Sequence, residues 1–383
     1  MDYLLSEQQI MIRDLCREIT EEKIKPIAAE LDKTEEFPHE VVKVMAQSDL
    51  FGLFIEEKYG GMGGGILDLC IATEEFSRGC AGIALAYAGT ALGVDPILIA
   101  GNEEQKAKYL PRVAKGTLCA FGITEPGAGS DAGGTQTTAK KVGDHYILNG
   151  TKIFITNGGE ADIYTIVAMT DKSKGARGAS MFIVEKGTPG FTFGKKEEKL
   201  GIRASATREL IFQDCKIPKE NLLGREGSGF ITAMRTFDMS RPGIGAQAVG
   251  IAQGSLDVAL EYAKQRVQFG KPISSFQGVQ FMLADMATQI EAARALVYAA
   301  ARQIDAGVKD VTRSSSMAKL FASDMAMRVT VDAVQIFGGY GYIKEYPAEK
   351  YMRDAKITQI YEGTNQIQRN IIALDLIRER TKK

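Results

Sequence analysis

Apolar positions recur every three to four residues where the chain begins. Leu4, Ile10, Met11, Leu15 and Ile19 form one such stripe, which predicts an amphipathic helix. Phe37-Pro38-His39 interrupts the pattern, and Val41, Val42, Val44 and Met45 start a second helix. The glycine-rich run YGGMGGG, Tyr59 to Gly65, predicts a loop, and helix resumes over Asp68 to Arg78. Asp95-Pro96 has the form of an N-cap followed by proline at the first helical position. Gly101-Asn102 would end that short helix, and Glu103 to Val113 forms the next.

From about Cys119 the period changes. His145 to Ile155 predicts two strands joined at Asn149-Gly150, a two-residue hairpin signal. Short strands are also expected over Ile163 to Met169, Ser180 to Val184, Gly190 to Phe193 and Arg208 to Gln213. Long helices return from about Gly227. Val279, Leu283, Met286, Ile290, Ala293 and Val297 alternate steps of four and three, the pattern of a bundle helix. A similar helix spans about Ser314 to Gln335. The order is α, then β, then α. It predicts an α+β chain with a helical domain over 1–118, a β-domain over 119–226 and a helical bundle over 227–383.

Composition narrows the function. The 383 residues allow two or three domains, and 47 Lys plus Arg nearly cancel 48 Asp plus Glu. Neither a nucleic-acid partner nor a solvating acidic tail is expected. The N-terminal MDYLLSEQQI is acidic and amphipathic, unlike a secretory or transit signal, and no apolar run is expected to span a membrane. The five cysteines, Cys16, Cys70, Cys80, Cys119 and Cys215, are scattered and odd in number. They predict buried thiols in a reducing, cytoplasmic setting. His39 and His145 are the only histidines, which argues against a histidine metal site or a Ser-His-Asp triad; no metal is expected.

The candidate chemistry centres on Glu362, in ITQIYEGTNQIQRN (Ile357 to Asn370). A buried carboxylate has a raised pKa, which suits a general base near neutral pH, and Gly363 permits close approach of a ligand. The same residues also read as a helix start, with Thr364 as N-cap and Glu362 against the helix dipole. Two stretches match G-x-G-x-x-A, Gly127 to Ala132 and Gly243 to Ala248, but neither follows a strand and opens a helix. A Rossmann nicotinamide site is therefore rejected. FGITEPGAGSD (Phe121 to Asp131) offers backbone donors and the Thr124 and Ser130 hydroxyls for a flat heterocycle or a phosphate, or else is a plain β-turn. KIFITNGG (Lys152 to Gly159), QRVQFGKP (Gln265 to Pro272) and QIFGGYGY (Gln335 to Tyr342) complete the set, with Arg266 able to pair a phosphate.

In this order, and over essentially the whole chain, these blocks resemble the acyl-CoA dehydrogenase family. The similarity points to its short- and medium-chain members, including bacterial butyryl-CoA dehydrogenases. The resemblance implies an N-terminal helical domain, a middle β-domain and a C-terminal four-helix bundle, assembled as a homotetramer of paired dimers. It implies FAD between the β-domain and the bundle. Phe121, Ile123 and Thr124, with Gly129, Ser130 and Ile155 from the same blocks, would border the flavin. Phe154 stands where many relatives have tryptophan, and Thr156 would reach flavin N5. Arg266, Phe269 and Gln277 would hold the pyrophosphate and adenosine across the dimer interface, with Gln335, Gly338 and Gly339 at the same end. Thr364 and Gln366 would contact FAD from the loop after Glu362.

Ser130, Asp238 and Arg241 match positions that contact CoA. By the same resemblance Tyr361, Glu362 and Gly363 would border the acyl thioester, with Glu362 as the base that takes its α-proton while a hydride leaves the β-carbon for flavin N5. In a subset of relatives the base sits instead on the helix near position 241, here Arg241. Electrons would pass to an electron-transferring flavoprotein. The competing functions are an acyl-CoA oxidase, a non-catalytic flavin- or CoA-binding relative, and an alicyclic acyl-CoA dehydrogenase. The last rests on Asp95, an acid where relatives commonly have an uncharged residue beside the acyl pocket. Asp95 then has two readings, helix cap or pocket acid.

Overall fold

The computed structural model describes residues 3–381. Met1, Asp2, Lys382 and Lys383, the ends of the expected first and third domains, lie outside the described residues. Five helices come first: α1 (Glu7–Ile19), α2 (Lys25–Thr34), α3 (His39–Gln47), α4 (Ile66–Ala100) and α5 (Glu103–Ala114). Ser6 and Gln9 close a reciprocal capping box on α1, and Asn102 and Gln105 do the same on α5.

Two expectations fail in α4. Pro96 lies inside the helix, which runs through Asp95 without restarting, so Asp95 caps nothing. A proline in a helix interior forfeits one backbone bond, but α4 is buried on nearly all sides and packing outweighs that loss. By length and composition α4 is also apolar enough to cross a membrane, which no apolar run was expected to be; most of that stretch is packed inside the protein. Cys80, at φ −162° and ψ 112°, breaks the helix partway. All five cysteines are free and buried.

The middle of the chain forms one sheet of eight strands: β1 (Cys119–Gly122), β2 (Thr138–Val142), β3 (His145–Thr156), β4 (Ile163–Met169), β5 (Ala179–Glu185), β6 (Phe191–Lys196), β7 (Thr207–Pro218) and β8 (Leu222–Leu223). Their order is β6-β7-β3-β2-β4-β5-β8, with β1 parallel to β4. The hairpin expected at Asn149-Gly150 is absent, and β3 runs straight through it. The turn lies earlier, at Gly143-Asp144, where Val142 pairs with His145 and Gly143 takes φ 57°. Asn149 and Gly150 instead make a bulge against β7. The Asn149 side chain accepts from Asp214 N at 2.8 Å and donates to its carboxylate at 3.1 Å. A Cβ on Gly150 would sit 2.5 Å from Thr137 Oγ1, so glycine is needed for that approach.

The last part holds α6 (Gly229–Gln265), the short hairpin β9 (Val267–Gln268) and β10 (Lys271–Pro272), then α7 (Gln277–Asp305), α8 (Thr312–Phe337), α9 (Ala348–Thr358) and α10 (Asn365–Thr381). Met286, Ile290, Ala293 and Val297 are buried along α7, as their spacing requires. Helices and sheet together make a three-part α+β architecture, helical at both ends with the sheet between. The GxGxxA run from Gly243 lies within α6, where it meets no strand.

α9 locks the three parts together. Asp354 accepts from Ile202 N at 2.6 Å and from Lys350 Nζ at 2.6 Å. Arg353 reaches Asp32 of α2 at 2.7 Å. These contacts set the direction in which α9 delivers the chain to Glu362.

α6 approaches α4 closely because glycines line the contact. A Cβ on Gly250 would lie 2.2 Å from the Glu74 carbonyl, and one on Gly254 2.2 Å from that of Arg78. Gly250→Ala is therefore expected to cost about 1–3 kcal/mol or more by overpacking. Gly243→Ala on the same helix meets nothing within 4 Å and is expected to be neutral or slightly stabilising. Urea unfolding of the two variants checks the contrast; equal stabilities would remove the close-packing account.

Candidate functional site

Glu362 occupies the connection between α9 and α10, and the backbone there is unusual. Glu362 takes φ 51° and Gly363 φ 91°, two left-handed residues in succession. For glutamate this costs about 1–2 kcal/mol, so surrounding bonds must hold the turn. Gln368 Nε2 donates to the carbonyls of Glu362 at 3.1 Å and Gly363 at 2.9 Å. Lys319 Nζ, from α8, donates to the Gly363 carbonyl at 2.8 Å. Thr364 Oγ1 accepts from Ile367 N at 3.3 Å and caps α10.

The Glu362 carboxylate accepts from Ser240 Oγ of α6 at 2.5 Å. Burial raises its pKa; the Ser240 hydroxyl, then the Arg241 and Lys319 charges, oppose that rise without cancelling it. A desolvated carboxylate with a raised pKa is suited to take a proton near neutral pH. Tyr361 O–H donates to Gln247 Oε1 beside it.

Two of the expected residues pair with one another. Arg241 donates to Asp238 at 3.0 Å and to Ser316 Oγ at 3.3 Å, and Asp238 also accepts from Thr312 at 2.8 Å. The α6 side chain that touches Glu362 is Ser240, one residue before Arg241, the position at which a subset of relatives is expected to carry the base. Asp95 of α4 is 3 % exposed and has no hydrogen-bond or ion-pair partner among the described residues. Burial, then the charge of Glu362, pushes its carboxyl well above the usual range.

A second group gathers at the sheet. Phe121 is buried edge-on to Phe237, with ring centroids 5.7 Å apart. Thr124 is half-buried, its carbonyl held by Ile153 N at 2.9 Å. Gly129 and Ser130 are exposed. Phe154 takes φ 58° with its ring 63 % exposed, while Ile155 turns into the core. Thr156 is half-buried against α4 near Gly89. Behind this loop Lys152, fully buried, donates to Glu125 at 2.7 Å and to the Ile123 carbonyl at 3.1 Å. Glu125 also accepts from the Gln136 and Thr137 amides at 2.6 and 3.0 Å.

A third group sits at the far end of α6. Arg266, Gly338 and Gly339 line a cleft of about 440 Å³. The Arg266 guanidinium lies 5.2 Å from the centre of the Tyr340 ring and has no carboxylate partner among the described residues. Phe269, at the tip of the β9–β10 hairpin, is 94 % exposed, with φ 54°. Gln277 opens α7 and Gln335 lies near the end of α8. At 1.5 Å per residue, Ser240 and Arg266 lie about 39 Å apart along α6, beyond the span of one extended dinucleotide. Gln366 is exposed on α10. A larger cleft of about 580 Å³, lined by Arg17, Glu74, Glu75 and Arg294, contains none of the expected residues, and its charges pair among themselves.

The donors suit a flavin dinucleotide. An exposed aromatic ring beside an open glycine loop offers a face for a flat heterocycle, and an unpaired arginine in a glycine-lined cleft suits a diphosphate. Sequence reasoning missed Ser240, Lys319, Gln368, Lys152 and Glu125. One signal existed: Lys152 falls on the inward parity of β3, with Tyr146 and Leu148, and Lys319 falls on the buried stripe of α8.

Comparison with known proteins covers the chain in three pieces. Family models described as the N-terminal, middle and C-terminal domains of acyl-CoA dehydrogenase match residues 6–117, 120–215 and 227–377. A short-chain-specific acyl-CoA dehydrogenase of Clostridium acetobutylicum is 52% identical, over 99% of this chain and 100% of that one. The structure of butyryl-CoA dehydrogenase from Megasphaera elsdenii superposes with a TM-score of 0.96 at 52% identity, covering 98% and 100% of the two chains. A chain solved in work on the electron transferring flavoprotein of Acidaminococcus fermentans and flavin-based electron bifurcation gives a TM-score of 0.96 at 54% identity, covering 99% and 100%.

The Glu125–Lys152 pair yields a test of the sheet-side loop. Glu125→Ala leaves a buried ammonium without its counter-charge and is expected to cost about 3–5 kcal/mol. The double variant Glu125→Leu with Lys152→Met is expected to regain most of that loss. Denaturant unfolding reads both; a double variant as unstable as the single one would overturn the ion-pair account.

Proposed function

The chain belongs to the acyl-CoA dehydrogenase family, and from that premise we propose that Glu362 is the base of an α,β-dehydrogenation. The protein is an FAD-dependent oxidoreductase acting on the CH–CH bond of an acyl-CoA thioester. The observation that carries the assignment is the Glu362 carboxyl, half-buried at the end of a strained turn, hydrogen-bonded by Ser240 and with its pKa raised by burial. The α-proton of a thioester is a weak acid, and its removal calls for a desolvated carboxylate fixed in place. The backbone N–H of Glu362 donates to the thioester oxygen, where negative charge develops. When bound, FAD supplies the acceptor for the hydride that leaves the β-carbon.

Phe154, Thr124 and Thr156 hold the flavin end, and Gly129, Ser130 and Phe121 shape its approach. Thr364 and Gln366 contact FAD from the base side. Arg266, with Phe269, Gln277, Gln335, Gly338 and Gly339, holds the diphosphate and adenosine of a neighbouring subunit's FAD. The 39 Å estimate along α6 and the exposure of Phe269 at 94 % and Tyr342 at 85 % support that reading. The assembly is a homotetramer of paired dimers. Ser130, Asp238 and Arg241 border the CoA path, Arg241 and Asp238 as a mutually paired wall. The acyl group is short or compact, the electrons pass to an electron-transferring flavoprotein, and the buried free thiols support a cytoplasmic setting.

Glu362→Gln is expected to retain FAD and bind acyl-CoA while losing turnover by about 10²–10⁴-fold or more. Dye-linked turnover with butyryl-CoA reads it, and near-normal turnover would remove Glu362 as the base.

A narrower reading concerns Asp95, whose buried, unpartnered carboxyl feels the charge of Glu362. As a wall of the acyl pocket it disfavours a long apolar chain, because an acid there is costly to bury against one. It suits a compact or alicyclic acyl group. Asp95→Asn is expected to change turnover selectively between butyryl-CoA and cyclohexanecarboxyl-CoA with stability nearly unchanged. Equal change on both substrates together with a lower melting temperature would sink the pocket role.

A further inference from the structure

Lys319 is fully buried on α8, yet it has no carboxylate partner among the described residues. Its ammonium donates to the Gly363 carbonyl at 2.8 Å and to Asn365 Oδ1 at 2.9 Å. The first of these is the main-chain oxygen of the residue after the base, and the second opens α10. Burying an ammonium that is not ion-paired is expensive. Two neutral acceptors do not require a charge, since an amide side chain would satisfy them.

The other charges around this point are already taken. On α6, Arg241 is paired with Asp238. On α8, Asp324 accepts from Arg369 at 2.7 Å, from Asn365 at 2.7 Å and from Gln359 at 2.7 Å. On α4, Asp95 carries a carboxyl held toward its neutral form. Tyr361, beside the base, is likewise held toward its neutral form by burial. Of the carboxylates that act on Lys319, Glu362 acts most strongly and Asp324 adds a smaller pull, both favouring the ammonium.

We propose that Lys319 is a positioning residue that fixes the left-handed turn at Glu362-Gly363 and, through its charge, sets the proton affinity of the base. This rests on the reading of Glu362 as that base. Burial pulls the Lys319 pKa down to about 7, the Glu362 charge opposes that, and the Arg241 charge adds to it. The sign follows. Below pH 7 the ammonium is present and favours ionised Glu362, extending activity toward acid. As pH rises through that value Lys319 loses its proton, and the carboxylate binds a proton more tightly. Removing the charge therefore moves the acid limb of activity upward.

The test is the pH profile of kcat/KM for the FAD-loaded enzyme with butyryl-CoA and a dye acceptor. Lys319→Gln keeps donors for both oxygens but not the charge, and Lys319→Met removes both. Each is expected to raise the acid limb by roughly one pH unit, with about tenfold lower kcat/KM at pH values below the limb. Lys319→Arg is expected to restore the limb. A role confined to structure would lower kcat at every pH and leave the limb in place, and that result overturns the proposal. Should Lys319→Met fail to fold, the Lys319→Gln profile decides. Glu362→Gln run in parallel separates the two claims: activity in that variant defeats the base assignment, whereas its loss with unmoved limbs in the Lys319 variants defeats this inference alone.

Discussion

A carboxylate that must stay ionised in a half-buried site governs much of this structure. Burial alone drives a carboxyl toward its neutral form, and a neutral carboxyl cannot take a proton. The chain answers with a hydroxyl at 2.5 Å from Ser240 and two cations, Arg241 and Lys319, that act without forming an ion pair with Glu362. A direct ion pair would hold the charge too firmly and pull the pKa far down. Keeping Arg241 on Asp238 and Lys319 on a backbone carbonyl leaves the carboxyl poised, with its pKa still raised.

That arrangement requires a fixed backbone, and the wider fold supplies it. The left-handed turn at Glu362 follows α9, which Asp354 ties to the Ile202 amide of the sheet region and Arg353 ties to α2. Ile202 is itself left-handed at φ 47°, a costly state for a β-branched residue, and its amide is anchored on a buried carboxylate. Strain at the site is thus matched by strain at the junction that aims it. On the opposite wall the Glu125–Lys152 pair holds the loop carrying Thr124 against β3, which carries Phe154. Both walls use a buried lysine to grip a backbone carbonyl, that of Gly363 on one side and Ile123 on the other.

The α-β-α order was legible because helix and strand periods differ and the long helices carry clean stripes, as with Met286, Ile290, Ala293 and Val297 on α7. Local signals failed where long-range packing outweighed them. Asn149-Gly150 is a strong turn pair in isolation, yet β7 lies alongside it and Asp214 captures the asparagine, so it becomes a bulge. Asp95-Pro96 looks like a helix start, yet α6 and the sheet enclose α4 and the helix continues. The blocks around Glu362 were legible as a set. That Ser240 rather than its neighbour on α6 reaches the carboxylate was not, because a one-residue step on a helix turns the side chain by about 100°. That rotation separates Ser240 from Arg241.

The length of α6 adds a constraint that no single motif contains. One helix places Ser240 against Glu362 and carries Arg266 about 39 Å away. Arg266 lines a cleft and has no carboxylate partner among the described residues, and Phe269 projects from a hairpin at 94 % exposure. Within its own chain the Phe269 ring meets Phe276 edge-on, with centroids 6.0 Å apart, and stays largely exposed; burial against a second subunit would offset the strain of its turn. On the proposed cross-subunit reading, association and cofactor retention are coupled: whatever loosens the partner contact would also remove donors from the diphosphate. Because α6 is continuous and packed along much of its length by α4 and α8, displacement at the Arg266 end is carried as a rigid body toward Ser240.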